Sequence, residues 1–399
     1  MNIKIFIKKK INGFIKYLYR LFYKLIPIQK KTFLFVAYHG RGYLCNPKAI
    51  HEYMSQCEAY HDYQFIWALK KDHYVDIPNA KVIRYNSLQF FYYLARSKYW
   101  IFNCKMPAYL MKKKDQIYLQ TWHGTPLKKL AHDINIGPSA TFYRSQVTKD
   151  QMTKSYDIDR QRYDYFLSPS AFATEKFISS FQLNLNQILE VGYPRNDFLT
   201  NITEEKIRQL KQKYNLPQDK KIILYAPTWR DNSYNSKGYT YDIQVDFEYW
   251  KSKLYPNYVV LFKPHYLITN QYEYPDLNNF LYFMKEDTDI NELYVISDVL
   301  ITDYSSVFFD FAILRRPILF YMYDLEEYKE NIRGFYLDVP TDLPGEVITE
   351  EDELIHRLEN LEIYFHQYID KLKNFNQVYN SYQDGMCSKK VVEAVIDLK

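Results

Sequence analysis

The sequence predicts an α/β fold: two doubly wound, Rossmann-like domains facing a cleft, preceded by a basic amphipathic helix. Three observations predict it. Short apolar runs alternate with helical stretches along most of the chain, the pattern of parallel strands covered on both faces. The series pauses near residues 200–218, at a charged helical segment, and then starts again. Chemically unusual residues cluster just past the ends of the apolar runs, where open α/β sheets bind ligands. With 399 residues, 47% of them hydrophobic, the chain can fill two cores.

The first element is INGFIKYLYRLFYKLI, residues 11–26. Ile11, Phe14, Ile15, Leu18, Leu21, Phe22 and Leu25 recur at helical spacing, while Lys16, Arg20 and Lys24 fall on the other side. Residues 1–31 are rich in lysine and hold no acid, so this helix suits an anionic membrane surface; an ordinary surface helix packed on the domain is the alternative. Strands follow at 32–38, 63–69, 81–85, 98–102, 116–120, 163–168 and 187–192. Helices such as NPKAIHEYMSQ, SLQFFYYLARS and SAFATEKFISSF separate them. After TEEKIRQLKQKYNLP a second series runs through 221–227, 258–264, 280–284, 298–302 and 317–322. A long helix is expected over 350–373 and a last one in KKVVEAVIDL. The division this gives is 1–28 for the basic helix, 29–205 and 206–375 for the two domains, and 376–399 for a C-terminal helix able to pack back on the first domain.

Charge and cysteine content exclude several classes. The formal net charge of +5 is concentrated at the start, so no folded basic face for nucleic acid is expected. Cys45, Cys57, Cys104 and Cys387 are scattered without ligand spacing, which disfavours a disulfide framework or a zinc site and fits a reducing cytosol. No apolar stretch is long enough to span a bilayer and no cleavage site follows a clean apolar region; a peripheral protein is expected, neither secreted nor transmembrane.

Five constellations sit at strand ends: HGTP after YLQTW, YPRND after ILEVG, PTWRD after IILYA, KPH after VVLF, and TDYSSVFFDF after DVLI. In the last, Ser305 and Ser306 open a helix leading through Asp310. They can hold a phosphate or serve as a plain helix cap. There is no GxxxxGK[ST] loop, and Asp303 and Asp310 can cap a helix or bind a ribose hydroxyl, so the reading assigns no metal and no other cofactor. His123 and His265 lie in different halves. Each alone fits a structural histidine; across a cleft they can divide proton abstraction from leaving-group stabilisation. Lys263, Arg195 and Arg230 add positive charge, which implies an anionic substrate.

Taken in order, QTWHGTPLK, YFLSPSAFATEKF, VGYPRNDFL, ILYAPTWRD, FKPH, DINELYVISDVLITDYSSVFFDFA and RGFYLD resemble the CDP-glycerol glycerophosphotransferase family of teichoic-acid synthesis; NPKAIHEYM is also similar. The resemblance covers about residues 32–340. It implies a GT-B arrangement, with the acceptor in the N-terminal half and a CDP-polyol in the C-terminal half. It further implies a peripheral enzyme on the cytoplasmic membrane face, acting on an undecaprenyl-diphosphate-linked acceptor. His123 then matches the general base, and Gly124 and Thr125 allow close approach to the donor, with Trp122 and Pro126 beside them; Pro126 can also simply begin a helix. His265 matches the histidine that stabilises the diphosphate as CMP leaves. Arg195, Pro227, Thr228, Lys263, Pro264, Ser305, Ser306 and Asp310 match donor-lining positions. The family's polymerases often carry a further N-terminal domain, so a primase, short-chain extender or capsule-decorating enzyme is expected here. CDP-ribitol shares these motifs and remains open as donor. A nucleotide-sugar glycosyltransferase of the same architecture is the main alternative reaction, and a catalytically dead scaffold would have no use for the histidines.

Overall fold

The computed structural model describes residues 3–137, 147–228, 234–235, 238–239, 243–264, 277–326 and 334–397. His265 and Arg230 lie outside the described residues.

After the helix Ile3–Leu25 the chain builds a seven-stranded sheet from β1 (Gln29–Val36), β2 (Gln64–Leu69), β3 (Ala80–Arg84), β4 (Ser97–Phe102), β5 (Ile117–Gln120), β6 (Tyr165–Ser168) and β7 (Ile188–Glu190). The spatial order is β3-β2-β1-β4-β5-β6-β7, with every pairing parallel. The second sheet contains β8 (Lys221–Ala226), β11 (Tyr258–Phe262), β12 (Leu281–Phe283), β13 (Val299–Thr302), β14 (Ile318–Tyr321) and β15 (Val347–Ile348), in the order β12-β11-β8-β13-β14-β15 and again parallel. A small antiparallel hairpin, β9 (Tyr234–Asn235) and β10 (Gly238–Tyr239), forms its own sheet. Each large sheet therefore reverses its direction of winding once, at β1/β4 and at β8/β13. The crevices beyond those carboxyl ends are where such sheets bind ligands.

Burial explains the unbroken apolar runs. In β1, Leu34 and Val36 pack on one face with Trp100 and Phe102, whereas Phe33 and Phe35 enter a different cluster on the other face. Likewise Ile222 and Leu224 of β8 face one core and Ile223 and Tyr225 another. With both faces covered, the two-residue alternation carries no polar signal. The expected helix over 350–373 is two helices, Glu351–Glu359 and Leu361–Tyr379, broken where Asn360 leaves helical geometry at φ −113°. The chain then returns to the first domain. The main-chain amides of Cys387 and Ser388 donate to the Asp197 carboxylate at 2.8 and 2.7 Å, and Val391 and Val392 pack with Phe33 and Phe35.

The first helix is tied to the N-terminal sheet by Tyr19, which is fully buried, packs against the Phe91 ring at a tilt of 50° and donates its hydroxyl to the Met111 carbonyl at 2.5 Å. Ile15 and Phe22 face the same way. Part of the apolar stripe is thus used inside the domain, while Phe14, Tyr17 and Leu25 remain 62%, 59% and 76% exposed beside the exposed Lys16, Arg20 and Lys24. Among the described residues no helix is long and apolar enough to cross a membrane.

Candidate active site

A cavity of about 240 Å³ opens where the carboxyl ends of the two sheets meet. From the first domain it is lined by Tyr38, Arg41 and Cys45 after β1, His123 after β5 and Arg195 after β7; from the second by Pro227 after β8, Lys263 and Pro264 after β11, and Ser305 and Ser306 after β13. The five strand-end motifs and the loop after β1 therefore converge on one space.

His123 owes its orientation to two neighbours. Trp122 adopts a left-handed φ of +51°, which is costly for a bulky residue and turns its indole into the core against Phe166, Phe177 and Phe181. The next side chain, His123, then faces the cavity. Its Nδ1 lies 2.7 Å from the main-chain oxygen of Asn103. A carbonyl only accepts, so Nδ1 carries the proton and the lone pair sits on Nε2. Asn103 is in turn fixed by the Tyr38 amide, which donates to its Oδ1 at 2.8 Å. Burial pushes the imidazole pKa down to about 4; the bond to Asn103 works against this shift and the Arg195 charge adds to it. At neutral pH the ring is uncharged and able to take a proton.

Gly124 brings the domains into contact. A Cβ at this position would stand 3.1 Å from Ser306 Oγ, so glycine lets the loop lie directly against the second domain. The segment after it continues the contact: the Tyr336 amide donates to Leu127 O at 2.8 Å and the Lys129 amide to Gly334 O at 2.9 Å. Lys129 is thus partly held by main-chain pairing, and Pro126 begins no helix. HGTPLK and GFY, 206 residues apart at the Leu130–Tyr336 hydrogen bond, form one seam.

A second seam is ionic. Arg195 Nη2 donates to Asp310 Oδ2 at 2.7 Å, Asn196 Nδ2 donates to the other oxygen at 2.8 Å, and both members of the ion pair are 7% exposed. Nearby, Lys48 pairs with Asp289 at 2.7 Å, and Asn291 Nδ2 donates to the Arg195 carbonyl at 2.7 Å. In the second domain Lys263 Nζ donates to the carbonyls of Lys285 and Glu286 at 2.6 and 2.9 Å. Burial lowers its pKa to about 8, opposed by Glu286, Asp287 and Asp289, so it stays largely protonated at neutral pH. Ser305 and Ser306 are half-buried at the cavity wall, ahead of the short helix Val307–Phe311.

Several expected site residues lie back from the cavity surface. Trp122, Thr125, Pro126 and Thr228 are buried in the walls, and none of them lines the cavity. Thr228 acts through its amide, which donates to Asp303 Oδ1 at 2.8 Å. Asp310 touches the cavity, and its two oxygens accept hydrogen bonds from Arg195 and Asn196. Among the described residues no cluster of side chains has the composition of a metal site. Sequence reasoning passed over Asn103, Lys48, Asp289 and Asn291. Asn103 carried a usable signal, a polar residue directly after KYWIF; the others are polar positions in NPKAIHEYM and DINEL.

Residues 17–397 match the model of the CDP-glycerol:poly(glycerophosphate) glycerophosphotransferase family. The chain belongs to this family. It is 40% identical to a teichoic acid poly(glycerol phosphate) polymerase of Bacillus spizizenii, over 93% of each chain. It is 37% identical to a teichoic acid glycerol-phosphate transferase of Staphylococcus aureus, over 98% of this chain and 99% of that protein. Two further poly(glycerol phosphate) polymerases are longer, and the chain spans about half of each, 52% and 49%. A relative of matching length is thus itself named a polymerase, and length does not separate primase from polymerase. Among solved structures, the wall teichoic acid polymerase TagF, as a histidine-to-asparagine variant soaked with CDPG, superposes with a TM-score of 0.89 at 36% identity, covering 96% of this chain and 92% of that one. The two-domain architecture is therefore GT-B-like.

Proposed function

We propose that the chain transfers glycerol phosphate from CDP-glycerol to a hydroxyl of a membrane-linked saccharide or polyol-phosphate acceptor and releases CMP, in the synthesis of teichoic acid or a related surface polymer. The observation that carries the mechanism is His123: neutral, with Nδ1–H given to Asn103 and the ring lining a cleft whose other wall holds Ser306 and Lys263. The acceptor hydroxyl gives its proton to Nε2 while its oxygen attacks the phosphorus next to glycerol. The bond from that phosphorus to the bridging oxygen breaks, and the oxygen leaves with CMP. Such base catalysis contributes about 10²–10⁴-fold. Lys263, Ser305 and Ser306 meet the charge of the diphosphate, and His265 is assigned to the same task by its place in FKPH. Residues 29–205 form the acceptor half and 206–375 the donor half. Family membership and the overlap with TagF support this reading.

The exposed ridge of Phe14, Tyr17 and Leu25 beside Lys16, Arg20 and Lys24 supports peripheral binding to the cytoplasmic membrane face. There the undecaprenyl-diphosphate-linked acceptor resides. The test is to incubate the purified protein with CDP-glycerol or CDP-ribitol and a panel of lipid-linked acceptors, then weigh the products. CMP release with a mass gain of one glycerol phosphate is expected. Release of UDP or GDP from a nucleotide sugar, with CDP-glycerol untouched, would overturn the proposal.

A further inference from the structure

Asn46 is fully buried at the start of the helix Cys45–Gln56, behind the cavity wall and not on it. Its carboxamide makes three hydrogen bonds, all to main chain. Nδ2 donates to the carbonyls of Thr121 and Trp122 at 3.1 and 3.2 Å, and Oδ1 accepts from the Arg195 amide at 3.2 Å. Two carbonyls can be met only by an NH2 group and an N–H only by an oxygen, so these partners fix the orientation of the amide. One side chain thus joins the loop after β5, which carries His123, to the turn after β7, which carries Arg195.

The carbonyls it holds decide where His123 points. The Thr121 amide still donates to Phe102 O at 2.8 Å; beyond it the chain leaves the sheet, and Trp122 takes its left-handed φ of +51°. Such backbone persists only where the surroundings hold it. Trp122 is held on both sides. Its amide donates to Gln120 Oε1 at 3.0 Å, and its carbonyl accepts from Asn46 and, at 3.2 Å, from the Thr121 hydroxyl. That carbonyl belongs to the peptide unit joining Trp122 to His123, so its direction sets the direction in which the imidazole starts. The other end of the carboxamide reaches the domain seam. Arg195, whose amide Asn46 receives, accepts at its carbonyl from Asn291 Nδ2 of the second domain at 2.7 Å.

We propose that Asn46 is a positioning residue for the transfer reaction: its carboxamide keeps the Thr121–Trp122 main chain in register with Arg195 and so sets the His123 imidazole relative to the second domain. The inference rests on the glycerophosphotransferase reading, with His123 as the base. Aspartate at this position has the same shape and still accepts from the Arg195 amide, but it cannot donate. Its second oxygen would face two carbonyl oxygens at hydrogen-bond distance, and the loop before His123 would move away from it. Small misplacements of a reacting group are costly, about a hundredfold in rate for 1 Å.

Four proteins test it: wild type, Asn46→Asp, His123→Ala and the double variant, each in single-turnover CMP release from CDP-glycerol with a lipid-linked acceptor, with CDP-glycerol affinity measured by calorimetry. Asn46→Asp is expected to lower the rate constant by about tenfold or more when His123 is present and by less than about twofold when it is absent, with the affinity retained. A purely structural role would lower the rate by the same factor in both backgrounds, and that result overturns the proposal, as does a wild-type rate in Asn46→Asp or a loss confined to CDP-glycerol affinity. Thr121→Val removes the hydroxyl that shares the Trp122 carbonyl while keeping its shape. A smaller loss of rate that also vanishes in the His123→Ala background is expected, and if Asn46→Asp does not fold, an unchanged rate in Thr121→Val overturns the proposal. Wild-type protein that releases no CMP with any acceptor would instead refute the underlying reaction, and a near-normal rate in His123→Ala the assignment of the base; both are distinct from a failure of Asn46 alone.

Discussion

Arg195 and Asp310, 115 residues apart in sequence, form a buried ion pair at 2.7 Å that joins the N-terminal domain to the C-terminal domain. Asn196 completes the coordination of the carboxylate, so removing Asp310 leaves a guanidinium and an amide without their partner.

Asp310→Ala is therefore expected to cost about 3–5 kcal/mol, the usual penalty for stranding one member of a buried pair. Replacing Arg195 and Asp310 together with apolar residues should cost less than the sum of the single changes. Chemical denaturation of the four proteins in a double-mutant cycle measures this. Additive losses would mean that the pair carries no coupling between the domains.

The approach of Gly124 to Ser306 gives a steric prediction. Gly124→Ala places a methyl 3.1 Å from Ser306 Oγ, tighter than most real contacts, so the seam must give by a few tenths of an ångström. The variant is expected to fold with near-native stability and to lose roughly tenfold in kcat, because reacting groups are misplaced by small domain shifts. In the Gly124→Ala/Ser306→Gly double variant the two losses should multiply to more than is observed. Strict multiplication would show that the two positions do not touch in the working enzyme.

Three histidines give the fold a predictable acid limb. His39, His51 and His123 all have pKa values lowered to about 4, in each case by burial first. The unfolded chain binds protons at these sites near the ordinary value of about 6.5, so it holds more protons than the native state between that pH and 4. Stability is thus full above about pH 6.5 and declines as the pH falls towards 4, with a limiting uptake on unfolding of up to three protons. Denaturation midpoints across this range, in wild type and His51→Gln, would reveal the slope. A flat profile would contradict the assignment of these rings as buried and neutral.

Much of the fold was legible in the sequence because parallel strands covered on both faces must be apolar throughout, as Phe33–Val36 and Ile222–Ala226 are. The two-residue strand Val347–Ile348 is too short to show a period, and the break at Asn360 interrupts an apolar pattern that runs on across it. At the cavity, residues that line it from their own strand ends, such as His123, Lys263 and Ser306, could be placed from the sequence. Those whose task depends on how two domains meet could not. Asp310 lines the cavity and also meets Arg195, a pairing that no spacing reveals, and the left-handed backbone that turns Trp122 inward leaves no signal in the sequence.

The N-terminal helix offers a test of the proposed membrane contact. Tyr19, Ile15 and Phe22 hold it to the domain, while Lys16, Arg20 and Lys24 face solvent. Changing those three to glutamate should weaken binding to anionic vesicles by on the order of 1 kcal/mol per removed basic charge, and more at low salt, without altering thermal stability. Vesicle sedimentation checks this. Full sedimentation of the triple variant would place membrane contact on another surface.

The most direct measurement of the central claim is a single-turnover assay of CMP release from CDP-glycerol with acceptor present, comparing wild type with His123→Ala. If Nε2 of a ring fixed by Asn103 takes the acceptor proton, the rate constant falls by at least about a hundredfold while the affinity for CDP-glycerol is retained. A variant that releases CMP and forms product at a near-normal rate would contradict the account.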